Sequence, residues 1–158
     1  MKEPQDQPFT GREAFAEAVV AVLDLARHEV LMLDPDFSDW PLARANGARA
    51  LTAALARGVR VRLLVTDPGW LATRADRFLT LHRAAAGRCA LRQLPAHLRL
   101  EESTLVVDRQ HLVRKPHPDA LTGRLRIAMP SAAEPHADRL AAAWDESTDC
   151  LPATTLGL

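Results

Sequence analysis

The stretch from Glu29 to Thr66 constrains the fold most. Glu29–Leu33 is a short apolar run ending at Asp34, and Val59–Thr66 is a second. Between them lie a Pro- and Asp-rich loop, residues 34–45, and a segment with Leu51 and Leu55 at helical spacing. Asn46 is placed to cap that helix and Gly58 to end it at C′. A strand, helix and strand in this order predict a right-handed parallel crossover, because a parallel neighbour must start again from the same end of the sheet.

The flanking sequence extends this unit. Thr10-Gly11-Arg12-Glu13 has the form of a capping box, with Phe9 as its staple, and predicts a helix to about Arg27. A third helix is expected from Trp70 to Ala86, stopped by Gly87, and then a strand from Cys89 to Leu94. Arg124–Met129 alternates apolar and basic residues, as a strand with one polar face does. Ser131–Glu134 has the form of a second capping box, before a helix carrying Ala137, Leu140 and Trp144 inward. The expectation is an α/β fold with a mixed, largely parallel sheet sandwiched by helices. Residues 1–8 are read as a flexible N-terminus, 9–147 as the domain, and 148–158 as an irregular tail.

At 158 residues the chain has enough length for one domain with a real core. Twenty basic and twenty acidic residues cancel. A neutral chain has no global field to draw in nucleic acid or anionic lipid, so nucleic acid is not favoured as a partner and any such binding needs a local patch. Residues 1–9 carry no apolar signal-peptide core, no run is apolar enough to span a membrane, and Cys89 and Cys150 read as free thiols. The expected compartment is the cytoplasm.

The stretch Leu94–Lys115 carries the candidate chemistry. Ser103–Asp108 is an apolar run closed by an acid, Asp108-Arg109-Gln110 turns the chain, and His111 starts a second run: a β-hairpin. This stretch resembles the motif region of the phospholipase D superfamily, where His-x-Lys-x4-Asp lies on such a strand. Asp108 stands at the acid position, Glu101 at the histidine and Ser103 at the lysine. The Gly-Ser-x-Asn element that often follows is replaced by Lys115-Pro116-His117-Pro118. The resemblance covers Phe9 to Glu146 and implies a single phospholipase D-like lobe. In active members the histidine attacks a phosphodiester and the lysine binds the phosphate. Glu101 repels phosphate and Ser103 supplies no cation, so the resemblance implies a catalytically inactive module for binding or assembly, with an unidentified protein or anionic ligand.

Read from the residues alone, Asp108 is equally a hairpin-turn acid. His97, Arg99, His111, Lys115 and Arg92 are the candidate ligand-binding residues around the hairpin. A rival reading places a metal-assisted phosphoesterase at Asp34, Asp36 and Asp67, with Asp39 nearby, because strand ends of open α/β sheets bind ligands and oxygen-rich clusters hold Mg²⁺. A third reading is a nucleic-acid-binding module. Arg60, Arg62, Arg92, Arg99, Arg114, Arg124 and Arg126 lie on or beside predicted strands, where an arginine fork can line an anion pocket. The six histidines and two cysteines show no metal-ligand spacing, and no cofactor is implied. Lone lobes of this family commonly pair, so a homodimer is expected, with Leu105, Val107, Leu112 and Val113 as candidates for the interface.

Overall fold

The computed structural model describes residues 2–85 and 87–151. In chain order the elements are β1 (Gln5–Thr10), α1 (Arg12–Leu23), β2 (Glu29–Asp34), a 3₁₀ turn (Pro41–Ala43), α2 (Ala45–Ala56), β3 (Arg60–Val65), α3 (Gly69–Arg74), α4 (Asp76–Ala84), β4 (Cys89–Gln93), β5 (Ser103–Val107), β6 (His111–Lys115), β7 (Thr122–Ile127), α5 (Pro130–Glu146) and β8 (Thr148–Asp149). The strands form one sheet in the order β1-β7-β6-β5-β2-β3-β4-β8.

The crossover unit forms as the sequence predicts. β2 and β3 are parallel, with Glu29 opposite Arg60 and Asp34 opposite Val65. Helix α2 ends at Gly58, whose φ of 87° is open to glycine without a side-chain clash. The Gly58 N–H bonds Leu55 O and the Val59 N–H bonds Ala54 O, the two reciprocal bonds of a Schellman end.

The sheet as a whole corrects the expectation of a largely parallel one. Among the described residues only β2–β3 and β3–β4 pair in parallel. The pairs β1–β7, β2–β5, β4–β8, β5–β6 and β6–β7 are all antiparallel. The cause is connection length. Helices return the chain for β3 and β4, whereas β5, β6 and β7 follow one another through short turns that permit only antiparallel neighbours.

Residues 5–8, read as loose, belong to β1, which pairs along its length with β7. Thr148 and Asp149 form the short β8 against β4. The rest of the expected tail, residues 152–158, lies outside the described residues. Neither capping box forms. Gly11 takes the N-cap of α1 at φ 96°, leaving Thr10 in the strand, and α5 starts at Pro130 behind Met129. The helix expected from Trp70 breaks at Ala75. Arg74 closes α3 and Asp76 opens α4, each matching the helix dipole at its own end. The expected end at Ala86 lies outside the described residues.

Each strand alternates between two faces. On one, Met32, Leu63, Leu105 and Val113 pack with α1, α2 and α4 around Phe15, Phe37 and Trp40. On the other, Leu31, Leu33, Leu64, Val106 and Leu112 pack under α5, against Ala137, Leu140 and Trp144, with Leu94 from the β4–β5 connection. Leu105, Val107, Leu112 and Val113 are at most 2% exposed. They belong to the core of the single chain and offer nothing to a second copy. No helix among the described residues is long and apolar enough to cross a membrane.

Candidate functional site

β5 runs antiparallel beside β2, with Thr104 opposite Leu33, and this sets Ser103 next to Asp34. The Ser103 hydroxyl donates to Asp34 Oδ1. Asp34 Oδ2 accepts the N–H groups of Asp36 at 3.0 Å and Phe37 at 2.7 Å. Burial pushes the Asp34 carboxyl above the usual carboxylate range, against the pull of those hydrogen bonds. Lys115 sits directly across the hairpin from Ser103. It is buried, donates to Pro118 O at 3.1 Å, lies 4.5 Å from the centre of the Phe15 ring, and is 3.9 Å from Asp39. The cation nearest Ser103 is therefore held by the fold.

Glu101 is exposed and lines a cavity of about 630 Å³ with Arg99, His117, Asp119, Thr66 and Gln93. Asp108 is at the opposite end of β5, about 16 Å from Ser103 at the rise of an extended strand. It sits in the hairpin turn with Arg109, both at positive φ. Its carboxylate accepts the backbone N–H groups of Arg27 and His28 at 2.8 Å and of Glu29 at 2.9 Å. Asp108 thus fastens the α1–β2 connection to the hairpin, and the structure does not bring it to Glu101 and Ser103. His111 lines a second cavity, of about 620 Å³, beside Asp108. Its Nδ1 accepts the Ala128 N–H at 2.9 Å, and burial lowers its pKa.

The other sequence candidates are dispersed. His97 is exposed, 3.8 Å from Glu146. Arg92 stacks 4.6 Å from the Trp144 ring, with Nε 3.2 Å from Asp149 and Nη1 donating to Trp144 O. Asp36 accepts the Ser38 N–H and hydroxyl, and Asp67 accepts the Gly69 N–H. Among the described residues no group of three His, Cys, Asp or Glu side chains is placed to hold a metal ion.

A different constellation stands on the α5 face. Arg60, Arg62, Arg92, Arg114, Arg124 and Arg126 alternate with Val61, Leu63, Leu91, Val113, Leu125 and Ile127, which pack under α1, α2 and α4. The period of two places all six arginines on the opposite side. Arg62 and Arg92 lie against Trp144 on one flank of α5. On the other flank the register sets Arg114 opposite Arg124 and Leu112 opposite Arg126. Arg114, Arg124, Arg126 and His136 line a cleft of about 270 Å³ there. Asp6 holds Nε of Arg124 at 2.8 Å and Nε of Arg126 at 3.4 Å. Glu102 accepts from Arg139 and from the Thr104 hydroxyl at 2.8 Å, and lies 3.5 Å from Arg114. Burial raises the Glu102 pKa, but those bonds and the two guanidinium charges outweigh it and hold the carboxyl below its usual range. Sequence reading named the strand arginines but missed Glu102, His136 and Arg139. The available signal was the (i, i+3) spacing of His136 and Arg139 on α5 and the parity of Glu102 with Thr104.

These features define a class: a single α/β lobe with the fold of the phospholipase D superfamily. Nuc from Salmonella typhimurium, a phospholipase D family member, matches with a TM-score of 0.72 at 17% identity, over 94% of this chain and 99% of that one. TrmBL2, an archaeal chromatin protein with a novel mode of DNA binding, matches at 0.69 and 17%, over 92% of this chain and 54% of that one. Phosphatidylserine synthase from Haemophilus influenzae Rd KW20 matches at 0.65 and 13%, over 96% and 41%. At these identities the likeness is one of fold. Over residues 11–156 the sequence matches the domain of unknown function DUF7931, and the chain belongs to that family. No curated protein sequence matches it.

The expectation that nucleic acid is disfavoured does not stand. One protein of this fold is a DNA-binding chromatin protein. Zero net charge says nothing of placement, and the strand arginines gather on a single face.

Proposed function

We propose that the chain is a non-catalytic phospholipase D-like module that binds nucleic acid through its phosphate backbone. The observation that carries this reading is the gathering of Arg60, Arg62, Arg92, Arg114, Arg124 and Arg126 on the α5 face. Guanidinium forks match phosphate oxygens, and such contacts supply most of the sequence-independent affinity for nucleic acid. The DNA-binding chromatin protein of the same fold supports it.

The motif positions support the absence of chemistry. Phosphodiester attack in this superfamily needs a histidine nucleophile and a lysine on the phosphate. Glu101 stands in the first position, and the Ser103 hydroxyl in the second is bonded to a buried carboxyl. The nearest lysine, Lys115, is buried and pinned. A phosphate entering the motif cavity meets Glu101 and Asp119.

Fluorescence anisotropy with single- and double-stranded oligonucleotides tests the binding. The expected result is sequence-independent association that weakens as salt rises, with a log–log slope of about −2 to −4 for roughly three to four engaged phosphates. Absence of association at low salt, or release of product from a generic diester substrate by clean protein, contradicts the reading.

A further inference from the structure

Resting on that reading, we infer that the cleft between β6–β7 and the first half of α5 is a seat for one phosphate of the bound strand. Glu102 is the resident anion with which that phosphate competes for Arg114.

The seat is built before any ligand arrives. Asp6 engages Nε of both Arg124 and Arg126, and both side chains line the cleft. Arg114 enters from the neighbouring strand, opposite Arg124. Its Nε is buried, and among the described residues no acceptor reaches it. A buried charged donor without a partner is costly, and it leaves the Arg114 guanidinium incompletely satisfied beside the cleft, where its more exposed Nη end is the part an anion reaches. His136 closes the wall from α5. Arg139 and the His136 Nδ1 lie 2.9 Å apart; with Arg139 donating, the His136 Nε2–H remains as a further donor. The cleft, at about 270 Å³, is large enough for one phosphate and part of its sugar.

Glu102 gives the seat its character. Its side chain is 11% exposed and lies within reach of Arg114 and Arg139, where it imitates a bound anion. A carboxylate has one charge on two oxygens. A phosphodiester also has one charge, but its bridging oxygens and sugar extend toward Arg124 and Arg126 as well. The strand therefore wins the cleft only by using all three arginines together. This makes binding dependent on several adjacent contacts, so a small anion that spans fewer of them binds more weakly and is needed at higher concentration. A lipid phosphate offers the same chemistry from another source, but the half-exposed Arg124 and Arg126 border a cleft set into the side of a sheet rather than a flat apolar surface.

The test uses the full chain. Anisotropy with single-stranded and duplex DNA is measured for wild type, Arg124→Gln, Arg126→Gln, the double variant, Glu102→Gln and, as a charge control on α2, Arg49→Gln. Each cleft arginine removed is expected to weaken binding about fivefold for single strands and about eightfold for duplex at roughly 0.1 M salt, and to reduce the salt slope by about 0.7 and 0.9 respectively. Glu102→Gln keeps the side-chain shape and is expected to tighten binding severalfold; Arg49→Gln is expected to match wild type. Should Glu102→Gln fail to fold, the guanidinium N–H resonances of wild-type protein serve instead: titration with DNA must move the Arg114 signal, with pyrophosphate as the small-anion probe. If wild type binds DNA and the double variant binds it equally, the seat is refuted and the nucleic-acid reading stands. If DNA does not bind while pyrophosphate still moves the Arg114 signal, the seat stands and the nucleic-acid reading fails. Preference for phosphatidylserine vesicles over DNA overturns both.

Discussion

Asp108 is the residue at which the catalytic and structural readings of the hairpin separate most cleanly. In the structure it is an anchor: one carboxylate takes three backbone N–H groups, from Arg27, His28 and Glu29. Removing it by Asp108→Ala leaves those donors without their acceptor. The first two are at exposed positions and turn to water, whereas Glu29 N–H is half-buried and its loss costs about 1–3 kcal/mol. The turn adds a second cost, because Asp108 has φ 54° and alanine there pays about 1–2 kcal/mol for the left-handed conformation. The sum is about 2–5 kcal/mol, or a fall in Tm of roughly 4–20 °C for a domain of this size. Asp108→Gly relieves the backbone but not the donors, at about 2–3 kcal/mol, and Asp108→Asn keeps one acceptor and tolerates the turn, at about 1–2 kcal/mol. Urea unfolding followed by tryptophan fluorescence gives the order Ala, Gly, Asn from most to least destabilised. An alanine variant within about 0.5 kcal/mol of wild type, or glycine worse than alanine, refutes the anchor.

Four further outcomes follow from particular contacts. Gly47→Ala places a Cβ 1.9 Å from Pro41 O, so despite a helix-propensity gain of about 1 kcal/mol the variant is expected to lose at least about 2 kcal/mol in the same assay. Glu102, held below its ordinary 4.5, stabilises the fold above that pH and loses the contribution as pH falls through the lower folded value, so the stability gap between wild type and Glu102→Gln is expected to close in acid. Asp34 has the opposite sign: its raised folded pKa means stability declines as pH rises from 3.8 through the folded value, and Asp34→Asn is expected to flatten that decline in a pH series of urea midpoints. Lys115→Met keeps the buried stem over Phe15 and is expected to cost about 1 kcal/mol, against about 2–4 kcal/mol for Lys115→Ala, by thermal unfolding.

Local signals in the sequence located the elements built from local interactions. The β2–α2–β3 unit was legible because its helix end, Gly58, acts through its own neighbours, and the hairpin because its two runs meet across Asp108-Arg109-Gln110. β1 was not legible, since Gln5–Pro8 is polar and exposed and becomes a strand only by pairing with β7 more than a hundred residues away. The strand order was hidden for the same reason: nothing near Ser103 says that β5 will insert beside β2. That insertion sets both the antiparallel majority and the Ser103–Asp34 contact. At the candidate site, attention to positions 101 and 103 passed over Glu102, whose role depends on α5 arriving from residues 136 and 139.

The alternation of the hairpin decides which way an anion approaches. Asp34, Ser103 and Lys115 belong to the α1–α4 side, where the hydroxyl and the cation are engaged. Glu102, Thr104 and Arg114, one residue out of phase, belong to the α5 side. At the motif cavity Arg99 stands against Glu101 and Asp119, with no positive excess. At the α5 cleft Arg114, Arg124, Arg126 and Arg139 stand against Asp6 and Glu102, an excess of two positive charges. In water at about 10 Å each charge pair is worth roughly 0.4 kcal/mol, and that distance is also about the screening length at ordinary salt. The difference between the two approaches is small for one phosphate, but a strand presents several, and the differences add along it. On the proposed reading a polyanion is therefore steered to the arginine face more strongly than a single small phosphate ester. The proposed binding of a strand thus requires no residue of the old motif.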